Sequence, residues 1–156
     1  MSAVRERYGV EDEAMCHRLL SWCREHGDAV RWGKGRKDGS MRFVVQDGGA
    51  EHVPFTVATW SGGTVDINFG YLKIRLPFAV ESLRRELLER LNLIPAVQLA
   101  VEQLGGYLSV PFRTLRSAEA QQQLLSVFRW VVTVIRNGVS AEPSRKVGGG
   151  RPRGIF

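Results

Sequence analysis

The spacing of apolar residues divides the chain into helical and strand-like stretches. Over residues 11–26, Met15, Leu19, Trp22, Cys23 and His26 recur at helical intervals and form one stripe, which predicts a helix. Asp12 stands where its N-cap is wanted, and Gly27 stands where it should stop. Val30 and Trp32 lead into Gly33, Lys34, Gly35, Arg36, Lys37, Asp38, Gly39 and Ser40, a glycine-punctuated stretch that predicts a turn-rich loop. Strand character follows over 41–46, 53–60 and 64–69, with turns at Asp47-Gly48-Gly49 and Ser61-Gly62-Gly63 between the runs. In the third run Val65, Ile67 and Phe69 alternate with Thr64, Asp66 and Asn68, the period-two pattern of a half-buried strand. Residues 71–76 read as its continuation or as an added edge strand.

Pro77 closes the strand region. Over 81–92, Leu83, Leu87, Leu88 and Leu91 make an apolar stripe beside Arg84, Arg85, Glu86, Glu89 and Arg90, and Ile94-Pro95 ends this predicted helix. Residues 96–112 admit two readings, a short helix over 96–104 or a strand over 107–110 that returns to the sheet. Ser117 is placed to cap a long helix through Arg136, with Leu124, Phe128, Val131 and Ile135 on one face, broadened by Leu125 and Val132. Asn137-Gly138 is its stop. The expected fold is α+β: an antiparallel meander of three or four strands, with an N-terminal helix and two C-terminal helices packed on one face. The other sheet face is left to solvent or to a partner. A disordered leader over 1–10, a single domain over 11–138 and a disordered basic tail rich in glycine and proline over 139–156 complete the expected organisation.

Composition narrows the class. The 156 residues suit one domain, and 44% hydrophobic with 24% charged residues excludes a collagen, a disulfide miniprotein and a wholly disordered chain. The first ten residues are charged and lack an apolar centre, so no signal peptide is expected. No apolar run approaches the roughly 18 residues of a membrane span, and the expected location is cytoplasmic. Cys16 and Cys23 are seven residues apart, two turns along one helix face, which is too far for a disulfide. Buried free thiols in a reducing compartment are the expectation.

The net charge of +6 is unevenly placed. Beyond Asn137 the tail carries Arg145, Lys146, Arg151 and Arg153 against Glu142, a net +3; the chain through Arg136 carries 18 basic and 15 acidic residues, also +3. Arginine outnumbers lysine 18 to 4. That bias suits phosphate recognition, and a GC-rich genome produces it equally well.

Three constellations are candidates for binding or chemistry. The first is Trp32 with Lys34, Arg36 and Lys37, joined by Arg42, where backbone N–H groups and cations suit a phosphate and the indole suits a base. No Gly-Lys-Ser/Thr follows, so this is not a P-loop. A solvated turn with Trp32 in the core is the plainer reading. The second is the tail, where Gly150-Arg151-Pro152-Arg153-Gly154 resembles half of an AT-hook, a motif that lays arginine into the minor groove of A·T-rich DNA. Gly149 stands where that motif has a basic residue, and a generic basic tail explains the same residues. The third is Cys23 with His26, neighbours on a helix surface; a nucleophilic pair is one reading and an apolar stripe the other. No C-x-x-C pair exists, and His17 and His52 have no motif around them, so neither a metal site nor a cofactor is expected. A restriction-type nuclease core needs an acidic residue two before a lysine, and no lysine here has one. Asp66 and Asn68 read as residues of a solvated strand face.

Trp32-Gly33-Lys34-Gly35 through Asp38-Gly39-Ser40, Phe55 to Trp60, the run from Gly63 through Gly70, then Pro77-Phe78 and Leu87-Leu88-Glu89-Arg90-Leu91-Asn92 together form a longer pattern. It resembles a poorly characterised prokaryotic accessory domain found near or fused to restriction-type endonuclease modules, and the likeness spans about residues 15–136. The resemblance implies an accessory role and supplies no catalytic residues. Three functions are therefore carried forward. The first is a non-catalytic DNA-associated accessory domain of a prokaryotic defence, repair or mobile-element system, with duplex DNA as partner. The second is a protein-interaction domain that dimerises or docks an enzyme through the open sheet face. The third is a small hydrolase using Asp66 or Cys23.

Overall fold

The structure, a computed structural model, describes residues 9–33, 39–58, 63–100, 102, 104–106 and 108–137. Residues 1–8 and 138–156 lie outside the described residues, and with them the expected tail over 139–156 and all of the expected leader over 1–10 except Gly9 and Val10. Helix α1 (Val10–His26) comes first, followed by strands β1 (Ala29–Trp32), β2 (Ser40–Asp47), β3 (Ala50–Ala58) and β4 (Thr64–Ile67). A short helix α2 (Phe69–Leu72), helix α3 (Glu81–Leu91), strand β5 (Leu108–Pro111), a 3-10 turn (Phe112–Leu115) and helix α4 (Ala118–Asn137) follow. The strands form one sheet in the order β1-β2-β3-β4-β5, and every neighbouring pair is antiparallel.

The α+β class is as expected, with one or two more strands than the pattern indicates. β1 occupies the stretch whose sequence reads only as a lead into the loop. The 71–76 segment is a helical turn followed by further turns, with Ile74 and Leu76 exposed, so the strand reading fails there. Of the two readings for 96–112, the returning strand is correct: β5 pairs with β4 through Ile67 opposite Leu108 and Val65 opposite Val110.

Register divides the sheet into two faces, because residues directly opposite across a ladder share a face. Val30, Phe43, Phe55, Ile67 and Leu108 form one row and Trp32, Met41, Val57, Val65 and Val110 the next, both on the helix side. The intervening row on the opposite side is Arg31, Arg42, Thr56, Asp66 and Ser109. Between Phe43 and Val45 the register slips, because β3 spends Val53 and Pro54 where β2 spends Val44. Pro54 has no N–H to give the ladder, which suits it to this bulge.

Helix α4 lies on β2 and against α1 and α3. Its Phe128 ring stacks on Phe55 with centroids 3.6 Å apart, and Trp22 of α1 closes on Phe43 at 5.6 Å and on Phe128 at 5.7 Å. Removing a buried aromatic ring of this kind costs roughly 3–5 kcal/mol. Met15, Leu19, Trp22 and Cys23 are buried as the stripe predicts, and His26 stacks on Trp22 at 4.3 Å. Asp12 is not a cap. The helix begins before it, and its buried carboxylate accepts from Arg116 Nε at 2.9 Å and Nη2 at 3.1 Å, which ties α1 to the approach of α4. Among the described residues no helix is long and apolar enough to cross a membrane.

Candidate nucleic-acid interface

The β1–β2 hairpin carries the described part of the predicted basic site. Gly33 N–H donates to Ser40 C=O at 2.8 Å and closes the ladder beside the connecting loop. A Cβ on Gly33 would come within 2.2 Å of Ser40 Oγ, so a side chain there would require the serine hydroxyl to rotate away. Lys34, Arg36 and Lys37 belong to the loop outside the described residues, as do Arg145, Lys146, Arg151 and Arg153 of the tail.

Trp32 is not a core residue, so the plainer reading of it fails. It occupies the helix-side row opposite Met41, yet it is 54% exposed while Met41 is buried. The reason is position: Trp32 is the last residue of the edge strand. Arg42 is exposed on the opposite face, opposite Arg31. The structure therefore sets Trp32 and Arg42 on two faces of one ribbon rather than on a common surface.

Arg31 does not stand out in the sequence, because recognising its place requires β1 to be read as a strand. The alternation of Val30, Arg31 and Trp32 is the available signal. Its guanidinium is engaged by the Glu51 carboxylate through Nη1 and Nη2, and this hydrogen-bonded pairing raises Arg31 and lowers Glu51 from their ordinary ranges. Among the described residues Arg42 makes no such ion pair, so it is the free cation of the hairpin stem.

The remaining candidates have structural duties. Cys16 and Cys23 are buried and unpaired, and burial pushes each thiol up to about 12, with Asp12 adding to the effect at Cys16. His26 Nδ1 donates to Trp22 C=O at 3.0 Å while its ring lies on the indole. Asn68 is not on a solvated face. It is buried beyond the end of β4, where its Nδ2 donates to Val53 C=O at 2.9 Å and Thr56 Oγ1 at 3.0 Å. Its backbone N–H donates to Pro54 C=O at 2.9 Å, so Asn68 braces the β3 bulge. Asp66 is half-buried and accepts from Ser109 Oγ at 2.7 Å on the outer face. Among the described residues no group of three or more His, Cys, Asp or Glu converges as a metal site.

Two of the surface cavities are lined by described residues. One of about 230 Å³ lies between the segment 96–99 and β5, lined by Gln98, Ser109, Pro111 and Arg113 among others. One of about 270 Å³ lies between α3 and α4, lined by Arg90, Leu93, Gln123, Ser126 and Val127. Neither lining contains a carboxylate, imidazole or thiol.

The fold and the hairpin together describe an α+β domain with a basic, aromatic edge. Compared with protein-family models, with curated proteins and with solved structures, the chain matches none.

Proposed function

We propose that the chain is a non-catalytic, DNA-associated accessory module, and that the β1–β2 hairpin is its phosphate-contacting element. The observation that carries this reading is the placement of charge. Residues 31–42 hold Arg31, Lys34, Arg36, Lys37 and Arg42 against Asp38, a net +4. The rest of the chain through Arg136 holds 13 basic and 14 acidic residues, a net −1. All of the body's positive excess thus sits in one hairpin, the concentrated form of charge that attracts a polyanion. Glu51 neutralises Arg31, which leaves Arg42 as the cation of the described hairpin stem for the ligand. The resemblance to accessory domains of restriction-type systems points the same way. The buried thiols and the hydrogen-bonded Asp66 give the hydrolase reading no support.

Fluorescence anisotropy of labelled DNA at several salt concentrations tests the proposal. Log affinity should fall linearly with log salt, with a slope of about 0.9 per neutralised phosphate on duplex DNA. Replacing Lys34, Arg36, Lys37 and Arg42 by alanine should shallow that slope by roughly one for each phosphate no longer neutralised. Replacing Arg145, Lys146, Arg151 and Arg153 instead measures the tail. If only the tail substitutions change the slope, the hairpin is not the interface.

A second reading rests on the row Arg31, Arg42, Thr56, Asp66 and Ser109. It is basic at one side and acidic at the other, so two copies related by a two-fold axis near Thr56 would set Arg42 of each over Asp66 of its partner. A dimer by light scattering that dissociates on Asp66→Lys, with no DNA binding, would favour this reading.

A further inference from the structure

From the two-faced placement of Trp32 and Arg42 we infer that the hairpin binds an unpaired strand of DNA, with the Trp32 indole stacking on a base and Arg42 holding the backbone. The inference rests on the DNA-associated reading above and narrows it to one form of the ligand. A cation calls for an anion, and a large exposed aromatic ring calls for a flat π-system. A nucleic-acid strand offers both in alternation. In a duplex the base faces are stacked on one another, and a protein meets only groove edges and phosphates. An indole has a single N–H and no acceptor with which to read those edges, so its useful partner is a base already out of the stack.

The topology supports the same choice. Among the described residues β1 is an edge strand, with β2 on one side only, and Trp32 is its terminal residue. Trp32 opposite Met41 and Arg42 opposite Arg31 belong to rows on opposite sheet faces. A strand that touches both can pass around the edge of β1, which carries no second strand among the described residues. A single strand turns within a few nucleotides and can follow that edge, whereas a duplex, stiff over about 150 base pairs, could touch both faces only by taking the hairpin into a groove, where the indole meets no base face. The Gly33 to Ser40 hydrogen bond holds the strand end from which Trp32 projects, so the stacking platform is presented without first being ordered.

The test uses the full chain and two fluorescein-labelled probes, an oligothymidine of about 20 nucleotides and a duplex of the same length. Anisotropy is read at several salt concentrations. The oligothymidine should bind at least about tenfold more tightly than the duplex. Trp32→Ala should weaken it roughly 5- to 150-fold, the range expected for one base stack removed. Trp32→Phe should restore most of that affinity, and Arg42→Ala should shallow the salt dependence without abolishing the preference for the single strand. Far-ultraviolet circular dichroism and the urea midpoint of each variant report folding; Trp32 is 54% exposed, so both should match the unsubstituted protein. Duplex binding equal to or tighter than the oligothymidine, with Trp32→Ala without effect, would overturn the inference and leave the hairpin as a phosphate-binding element. Absence of binding to both probes would overturn the DNA-associated reading as well.

Discussion

Cys16 and Cys23 show how far a side chain's chemistry is set by where it is packed. Each is at most 2% exposed, and burial pushes each thiol up to about 12 from an ordinary value of 9.0. A thiolate, the reactive form, is therefore scarce in the folded protein at neutral pH. An excess of a thiol-specific disulfide reagent at mildly alkaline pH should leave the native protein unlabelled for minutes and titrate both cysteines once urea unfolds it. Rapid labelling of the native chain would contradict this packing. Linkage has a definite sign here: the folded pKa lies above the unfolded one, so stability is whole below pH 9.0 and declines as the pH rises toward about 12. The pairing of Cys23 with His26 is legible as spacing. Its outcome is not, because spacing says nothing of the Trp22 ring that takes the imidazole. Asn68 teaches the same point. Its alternation with Asp66 predicts a shared wet face, and a bulge one strand away turns it into a buried brace.

Among the elements, the long helices are plain in the sequence and the short strands are not. Helix α4 presents Leu124, Phe128, Val131 and Ile135 to the core over 20 residues, enough turns for the period to declare itself. Ser117 sits just before it, and its Oγ accepts from Ala120 N–H at 3.1 Å. Ser117→Ala should lower stability by about 0.5–2 kcal/mol, seen as a reduced urea midpoint with an unchanged m-value, while Ser117→Asp should largely preserve it. β1 has four residues and β5 has four, too few for a period-two pattern to stand out from chance. Each exists because a neighbouring strand offers a ladder to complete. Gly63 marks another element-scale constraint: its φ is +80° and a Cβ there would meet the Phe112 ring at 2.4 Å, so this turn and the ring that follows β5 fit only around a glycine.

For the molecule as a whole, Asp28 joins parts that are distant in sequence. Its carboxylate accepts from Gln46 N–H at 2.7 Å and from Arg136 Nη2 at 3.3 Å, and Arg136 also reaches His26 C=O at 2.9 Å. These hydrogen bonds fasten the turn between α1 and β1 to β2 and to the end of α4. The Gln46 N–H, followed by Arg136, holds the Asp28 carboxyl below its usual 3.8. The folded pKa is the lower one, so the stabilisation is complete above pH 3.8 and fades as the pH falls below it. The side chain is 38% exposed and solvent-screened, so the effect is small. Asp28→Asn should have a lower urea midpoint than the unsubstituted protein at neutral pH, and the gap between the two midpoints should narrow as the pH falls below 3.8. A gap that is constant with pH would mean that the carboxylate's charge is not what matters.

The amino-acid sequence by itself determined the three longer helices, the α+β class, the meander and the concentration of positive charge between residues 31 and 42, because each of these is a local regularity of period, turn chemistry or composition. Tertiary structure alone decided that residues 108–111 rejoin the sheet, that Asp12 serves Arg116 rather than a helix end, and that Trp32 stands open at the sheet edge with Arg42 on the other face. Those outcomes depend on which segments meet across tens of residues, and burial is a property of the neighbours that arrive rather than of the residue they cover.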